Sequence, residues 1–344
     1  MLSTRTGMIL NSIVTRYIDM ATPVPSQTIA DDPGLGGISS ATIRNEMAHL
    51  ENEGYITRPH TSSGSIPADK GYRYYVESLK NVRLAEVEQR LISHLLHQVE
   101  RETEECLSLT ATLLSQLVKN VAVVSSPKTA DSKFKHMELV SLQDTQVLLV
   151  LVLHGAKVKQ KLITFDETIY QPRLTSISNK LNAVYSGLTR KQIEAKESEL
   201  SPLEQQINDC LIEMMKIEDE REYAEPYLDG LHFMLNQPEF AHIERIQALM
   251  NLVEQRSLLK AIIPAEMKGH TVQVIIGEEN KDEAIRNYSV VISQYGLPNE
   301  ATGTIGVVGP TRMPYSHAIP TVGYLATILT VLMAGLYGKQ IPKE

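Results

Sequence analysis

The chain has 344 residues, with 33 Lys and Arg against 41 Asp and Glu, a formal net charge of -8, and 42% of its residues are hydrophobic. This composition predicts a folded, soluble protein of two or three domains. It excludes a polycation that coats nucleic acid or membranes without specificity, but not a local DNA-reading face. Because the two cysteines, Cys106 and Cys210, lie far apart, we expect no disulfide framework and no cysteine zinc site, and we predict a cytoplasmic protein.

The first eighty residues predict three helices followed by a hairpin. A one-sided apolar pattern indicates the first helix, Ser26 begins a short second helix, and Ser39 caps a third helix that Gly54 ends. Residues 55–58 and 65–66 are predicted as hairpin strands around a Ser-Ser-Gly turn. Three helices and a hairpin are the winged variant of the helix-turn-helix, a common DNA-binding fold.

The third predicted helix has a face suited to the major groove. At about 100° per residue, Ile43, Met47 and Leu50 share the side that must face the domain core. On the other side Asn can pair with adenine and Arg with guanine or phosphate. The alternative is a solvated helix on a protein-binding domain. The candidate DNA-binding residues are Ser40, Ala41, Thr42, Arg44, Asn45 and His49 on the helix and Arg58, His60, Thr61, Ser62 and Ser63 in the hairpin.

The charge of this N-terminal region limits how tightly one copy could bind DNA. Residues 1–75 contain six basic and seven acidic side chains. Few counterions would be released on binding, so a monomer is expected to bind weakly. Two copies on a two-fold site would bind more tightly through their effective concentration.

The middle and end of the chain predict a long helical stretch followed by one mostly antiparallel sheet. Apolar spacing indicates helix between Leu84 and Leu117. Short segments rich in Val and Ile, separated by turn residues, are predicted as strands. These segments are 121–124, 134–142, 146–153, 157–164, 271–276, 288–293 and 302–308.

An acidic, mostly helical block interrupts these strands. Residues 181–240 contain five basic and thirteen acidic residues, which equals the net charge of the whole chain. A capped helix start at Ser201 precedes an apolar stripe from Leu203 to Ile217. We expect an insertion at about 169–240 that is held away from DNA by its charge and whose surplus apolar surface meets a second copy of the chain.

The uncharged stretch 318–338 is as long as a membrane span. It contains Pro320, several Thr and Gly residues, and a one-sided apolar stripe through Val322, Leu325 and Leu329. This pattern favours a helix docked on a sheet, so we expect no membrane partner.

Sequence patterns typical of catalysis or cofactor binding are weak. The glycines at 303, 306 and 309 lack the spacing of a phosphate loop, and Pro127 breaks a chance Ser-x-x-Lys match. His94 and His97 could join Glu100 or Glu104 around a metal, but this spacing is common on solvated helix faces. We expect no enzyme activity, no catalytic residues, no cofactor and no metal.

Longer motifs extend from the third helix to the end of the chain. They are SSATIRNEM at 39–47, PHTS at 59–62, DKGYRYYV at 69–76, LNQPEF at 235–240, IGEEN at 276–280 and GPTRM at 309–313. In type and order they resemble the heat-inducible transcription repressor family, HrcA, and the resemblance covers essentially the whole chain. One departure is Ser65, which follows the hairpin glycine where the family usually has Arg, so a cationic contact to DNA is expected to be missing.

The resemblance implies an α+β fold and a function. The implied domains are a winged helix-turn-helix at 1–78, a GAF-like antiparallel-sheet domain with an N-terminal linker helix at 79–168 and 241–344, and a mostly helical inserted dimerisation domain at 169–240. The implied function is a dimeric repressor of chaperonin and Hsp70 operons that binds an inverted-repeat operator in double-stranded DNA. Its activity would be maintained by the chaperonin and lost on heat stress. The alternative is a winged-helix regulator whose GAF-like domain senses a small-molecule effector.

Overall fold

In the computed structural model the described residues are 2–60, 63–80, 82–99, 103–128, 131–143, 145–154, 158–196, 199–220, 226–240, 243–254, 257–264, 267, 269–298 and 301–336. They form a mixed α+β structure, which confirms the predicted class. Contacts divide the chain into two compact units. The first contains Met1–Ser126, Glu225–Tyr295 and Gly303–Thr330, and the second contains Pro127–Ala224, Gly296–Thr302 and Val331–Glu344.

Helices and strands alternate irregularly along the chain. The first half contains α1 (Thr4–Met20), α2 (Ser26–Ala30), α3 (Ser40–Asn52), β1 (Ile56–Thr57), β2 (Ile66–Pro67), α4 (Asp69–Ser78), α5 (Glu86–Gln98), α6 (Thr103–Val118), β3 (Val121–Val124), β4 (Phe134–Gln143), β5 (Gln146–Leu153) and β6 (Val158–Thr164). The second half contains α7 (Gln171–Tyr185), α8 (Arg190–Glu194), α9 (Pro202–Glu220), β7 (Tyr227–Asp229), α10 (Leu231–Leu235), α11 (Ile243–Glu254), α12 (Leu258–Ile262), β8 (Gln273–Ile276), β9 (Tyr288–Leu297), β10 (Ala301–Pro310) and α13 (Tyr315–Leu336).

The expected three helices and hairpin are present at the N-terminus. Residues 2–60 and 63–78, here called the N-terminal head, contain α1, α2, α3, the antiparallel pair β1 and β2, and α4. The Ser3 and Ser39 side chains cap α1 and α3 by accepting backbone N–H bonds. Apolar residues from all three first helices are fully buried: Ile9, Leu10, Ile13, Val14, Ile29, Ile43 and Leu50.

A five-stranded sheet forms the rest of the first unit, with helices on both of its faces. Its strand order is β7-β3-β10-β9-β8. Tyr288 and Val290 of β9 share one buried core with residues of α10, α11 and α12. Ser289 lies between them and therefore points to the other face, where its hydroxyl bonds to Tyr315 of α13 at 2.7 Å. Burial on both faces explains why these strands are almost continuously apolar.

Helix α13 coincides with the stretch that matches a membrane span in length. It is long and apolar enough to cross a membrane by length and composition alone, but half of its apolar window is buried within the protein. Val322, Leu325 and Leu329 are all buried, and Tyr324 bonds to the Ser93 hydroxyl of α5 at 2.8 Å. The helix therefore packs in the core of the first unit, as its one-sided stripe predicted.

The expectation of a single sheet is wrong. Strands β4, β5 and β6 form a separate three-stranded antiparallel sheet in the second unit. Met137, Leu149 and Leu151 on one face of this sheet share a core with Leu174 of α7 and Leu211 of α9. The strands pair with their neighbours in the chain, and buried and less buried residues alternate along β5. That alternation of burial is typical of a sheet with one covered face, but the sequence of β5 does not show it, because residues 147–153 are all Val or Leu.

This second unit therefore differs from the insertion expected at 169–240. It begins at Pro127 and includes the three strands, whereas Glu225 and the segment that follows belong to the first unit. Its charge is also more balanced than that of the acidic block, because residues 127–224 hold thirteen basic and fifteen acidic residues. Basic residues of β6, α7 and α8 pair with the acidic residues of α9, in the ion pairs Lys159–Glu218, Lys161–Glu213, Lys180–Glu204 and Arg190–Asp219. The net charge of this unit is therefore too small to support the expectation that charge holds it away from DNA.

Two side chains of α7 bind the outer edge of β4. Gln171 accepts from the Ser141 N–H and donates to the Leu139 carbonyl, both at 2.8 Å. Asn182 accepts a bond from the Met137 N–H at 2.8 Å and donates to the Met137 carbonyl at 2.9 Å. These bonds satisfy backbone groups on the side of β4 where the described part of the chain places no further strand.

We predict that Asn182→Ala lowers the free energy of unfolding by about 1–3 kcal/mol, because it leaves two partly buried backbone groups without partners. Chemical denaturation followed by circular dichroism measures this effect. Asn179→Ala on the exposed face of the same helix is the matched control and should change stability by less than about 0.5 kcal/mol. Equal effects of the two substitutions would contradict the role assigned to Asn182.

Candidate nucleic-acid interface

Helix α3 presents the polar face predicted from its sequence. Ile43, Met47 and Leu50 are buried against the rest of the head. The Ser39 hydroxyl accepts the Thr42 N–H at 3.2 Å and fixes the start of the helix. Of the candidate residues on α3, Ala41, Arg44, Asn45 and His49 are exposed, and Ser40 and Thr42 are partly buried. The structure thus places all six on the solvent side of α3 or at its margin.

Three of the six basic side chains of the head are already paired with its own acidic residues. Arg5 pairs with Glu46 at 2.7 Å, Arg16 with Asp32 at 3.3 Å and Arg58 with Glu51 at 3.2 Å. By contrast, the side chains of Arg44 and Asn45 have no hydrogen-bond or ion-pair partner among the described residues. They are therefore available to a ligand without first breaking an internal contact, whereas Arg58 must leave Glu51.

Glu46 holds α3 against the start of α1. Thr6 donates its hydroxyl to one carboxylate oxygen at 2.8 Å, and the Arg5 guanidinium donates to the other. The Thr6 hydrogen bond, assisted by Arg5, lowers the pKa of the Glu46 carboxyl, while burial opposes the shift. Sequence reasoning did not assign this positioning role, because the contact joins residues about forty positions apart and leaves no local pattern.

The hairpin lies beside α3 and is closed by a local turn. The His60 N–H donates to the Ser63 hydroxyl at 3.0 Å, and that hydroxyl donates to the His60 carbonyl at 2.7 Å. Gly64 packs against the backbone of Val24, where a Cβ atom would lie 2.4 Å from the Val24 carbonyl carbon. Arg58 and His60 are exposed and Ser63 is partly buried, while Thr61 and Ser62 lie outside the described residues.

The expectation that Ser65 occupies a DNA-facing position is wrong. Its side chain is only 1% exposed, and its backbone N–H and carbonyl pair with the carbonyl and N–H of Val24 at 2.9 and 2.8 Å. The strand alternates sides after Gly64, so Ser65 points inward.

The other candidate sites do not assemble. Among the residues that the structure describes, no three His, Cys, Asp or Glu side chains are placed to hold a metal. His94 lies 3.3 Å from the Gln98 amide on the exposed side of α5, and Glu100 lies outside the described residues. The outward face of α3 with the hairpin thus remains the candidate interface.

Comparisons with known proteins identify the family of the chain. The family model described as HrcA protein C terminal domain matches residues 104–319. A heat-inducible transcription repressor HrcA from Dehalococcoides mccartyi is 57% identical over 339 residues, covering 98% of each chain. The chain belongs to the HrcA family of transcription repressors.

Another HrcA relative, from Herpetosiphon aurantiacus, is 38% identical and covers 98% of this chain and 97% of its own. A solved structure titled as a hypothetical protein shares the fold, with a TM-score of 0.61, 22% identity and coverage of 98% and 100% of the two chains. The suspected resemblance is therefore confirmed, and HrcA proteins are transcription repressors rather than enzymes.

We predict that Arg44 and Asn45 are the main base-reading residues of this HrcA protein. Asn45→Ala should weaken operator binding by about 1–3 kcal/mol and relax specificity at one base pair per half-site, because a bidentate contact to adenine is lost. Fluorescence anisotropy with a panel of single-base operator variants measures both effects. Asn179→Ala and Arg90→Ala, exposed on other helices, are the controls, and unchanged binding by both Asn45→Ala and Arg44→Ala would show that α3 does not enter the groove.

Proposed function

We propose that this protein is a cytoplasmic, dimeric repressor of chaperonin and Hsp70 operons that binds an inverted-repeat operator through a winged helix-turn-helix at residues 1–78. The observation that carries the proposal is the exposed face of α3, where Arg44 and Asn45 have no side-chain partner among the residues that the structure describes. The N-terminal residues of such a helix are those that reach base edges when it lies in a major groove. Family membership supports the repressor function, and the operator is inferred from the resemblance.

The charge of the head supports a two-fold operator. With only six basic side chains, three of them in internal ion pairs, one head releases few counterions and gains little affinity from phosphates. Two heads on one inverted repeat bind as a linked pair, and the second contact then forms at high effective concentration. A dimer therefore offsets the weak electrostatic attraction of each head.

We place the dimer contact on the outer face of the three-stranded sheet. In the register of the strands, Val140, Leu148 and Leu162 lie side by side. Val140 is 40% and Leu162 is 50% exposed, although the opposite face of the same sheet is packed. Such an uncovered apolar patch on a sheet is typical of a surface that meets a partner.

Most of the apolar stripe expected to supply that contact is used elsewhere, although its last residue, Ile217, is 57% exposed. Leu203, Ile207, Leu211 and Met214 of α9 are buried in the core of their own unit. The downstream residues Met234 and Phe240 lie in the core of the first unit. These residues therefore complete two separate cores, and we place the contact with a second copy on the outer face of β4, β5 and β6.

We predict that the double substitution Val140→Lys and Leu162→Lys converts the protein to a monomer, because it places four lysines in a symmetric apolar contact. Sedimentation velocity should show the monomer, and binding to the full repeat should fall about a hundredfold or more while weak half-site binding persists. Val87→Lys, at an apolar position of α5 that is 77% exposed, is the matched control. A variant that remains a tight dimer would place the interface elsewhere.

We also propose that the chaperonin acts on folding competence rather than as a partner on the operator. Strand β3 pairs with β7 about a hundred residues later and with β10 about 180 residues later. Pairings between such distant segments form slowly and leave strand edges exposed meanwhile. Occupancy of the chaperonin by heat-unfolded proteins would then deprive the repressor of assistance, which agrees with heat-inducible relief of repression.

We predict that chaperonin with ATP raises the fraction of refolded protein that binds the operator. The protein is refolded from denaturant under three conditions: with chaperonin and ATP, with chaperonin alone, and without either. The comparison distinguishes ATP-driven release of folded repressor from its capture by the chaperonin. Titration with operator DNA then counts the active molecules. An active fraction that does not depend on ATP, or a stable complex of chaperonin, repressor and operator, would contradict this mechanism.

A further inference from the structure

Within the first unit, the N-terminal head contacts the sheet through α4 on one side. The Arg73 guanidinium donates to the Glu279 carboxylate, with Nε at 2.8 Å from Oε1, and to the Val274 carbonyl of β8 at 2.7 Å. One turn earlier, Asp69 accepts the Glu278 N–H at 2.9 Å. Gly277 has φ of +53°, and a Cβ atom there would lie 1.9 Å from the Asp69 carboxylate. This close approach therefore requires glycine.

A second polar contact holds the end of α1. Arg312 donates from Nη1 to the Ile18 carbonyl at 3.1 Å and also pairs with the Glu239 carboxylate. The Ile18 carbonyl lies in the last turn of α1, where helix carbonyls lack partners and a cation is favourable. The side chains of Arg312 and Glu239 are mostly buried, so solvent screens this pair only weakly.

Buried aromatic rings lie between the head and the sheet domain. The Tyr72 and Tyr315 rings are 6.1 Å apart, and both side chains are almost fully buried. The Tyr315 hydroxyl donates to the Thr311 carbonyl at 2.6 Å, and burial raises the pKa of this hydroxyl well above its usual value. Polar contacts on two helices with an aromatic pair restrict both sliding and rotation of the head.

Four of the motifs that carry the family resemblance meet at this contact. DKGYRYYV supplies Asp69, Tyr72 and Arg73, LNQPEF supplies Glu239, IGEEN supplies Gly277 and Glu279, and GPTRM supplies Arg312. The exposed face of α3 takes no part in these contacts. Their function therefore differs from base recognition.

We propose that Arg73 and Arg312 are positioning residues that hold the DNA-reading head in one orientation on the sheet domain and thereby restrict the half-site spacing that the dimer accepts. This inference rests on the proposed function. A linked pair of heads gains affinity only where its geometry matches the two half-sites. A head released from its contacts samples many orientations. The dimer then binds the repeat of matched spacing more weakly, while its affinity for repeats of other spacings falls less.

The experiment compares Arg73→Gln, Arg312→Gln, their combination and Glu279→Gln on a half-site duplex and on inverted repeats with altered spacers. Half-site affinity should stay within about twofold, because α3 lies apart from the changes. Affinity for the best repeat should fall about tenfold in the double variant, with a flatter dependence on spacer length. Arg90→Gln, which breaks an exposed pair on α5, is the control, and thermal denaturation checks folding.

Glu279→Gln distinguishes a positioning role of Arg73 from an effect of net charge on DNA binding. Loss of an acidic residue should tighten DNA binding if only net charge matters, whereas loss of the Arg73 partner should weaken binding to the full repeat. The proposal would be overturned if wild type and all four variants preferred the same spacer length equally strongly. It would also be overturned if Glu279→Gln bound the full repeat more tightly than wild type.

A readout without DNA keeps the two proposals distinguishable. Spin labels at Met8→Cys on the head and Arg286→Cys on the sheet domain, in a Cys210→Ser background, report the distance between them; Cys106 is buried. The distance distribution should be narrow in the parent and broader in the double variant. An unchanged distribution would overturn the positioning role. A wild-type protein that binds neither repeat nor half-site would instead overturn the proposed function, while the labels still decide whether the arginines hold the head.

Discussion

The structure depends above all on the backbone pairing of β3 with β7 on one side and β10 on the other. Four residues, Val121–Val124, join segments from three distant parts of the chain. Most of the second unit, Pro127–Ala224, comes from the chain between β3 and β7, so the first unit cannot close its sheet until that chain has been synthesised. The head docks on this sheet, through contacts with β8 and with the loop after β10. Its orientation therefore also depends on the completed sheet.

The N-terminal head was the part most accessible from sequence. Its helix caps and core residues depend on neighbours within a turn or two, and Ser39, Ile43 and Met47 sit where periodicity placed them. The three-stranded sheet was misassigned because strand type can be read locally but strand partners cannot. The sequence of β5 did not reveal its half-covered position, because residues 147–153 are all Val or Leu and are therefore typical of a fully buried strand.

The sequence predicted which face of α3 is exposed, but not the contacts that position α3 and the hairpin. The outward face of α3 follows from helical geometry alone. Two details depend on contacts that no local pattern encodes: the inward direction of Ser65, set by the packing of Gly64 on Val24, and the clamp of Glu46 by Thr6 and Arg5. Similarly, a run of acidic residues in α9 indicated an isolated acidic surface, but bases from three other elements lie beside it.

The internal ion pairs of the head bear on how a repressor is distributed over a chromosome. Every non-operator sequence presents the same phosphates, so binding there depends almost entirely on free cations. With Arg5, Arg16 and Arg58 engaged by carboxylates, a head offers little to an arbitrary stretch of DNA. Competing genomic sites then sequester fewer molecules, and the ratio of operator to background binding rises. A small number of repressor molecules per cell would then suffice to occupy the operators. Inactivation of those few molecules would relieve repression quickly.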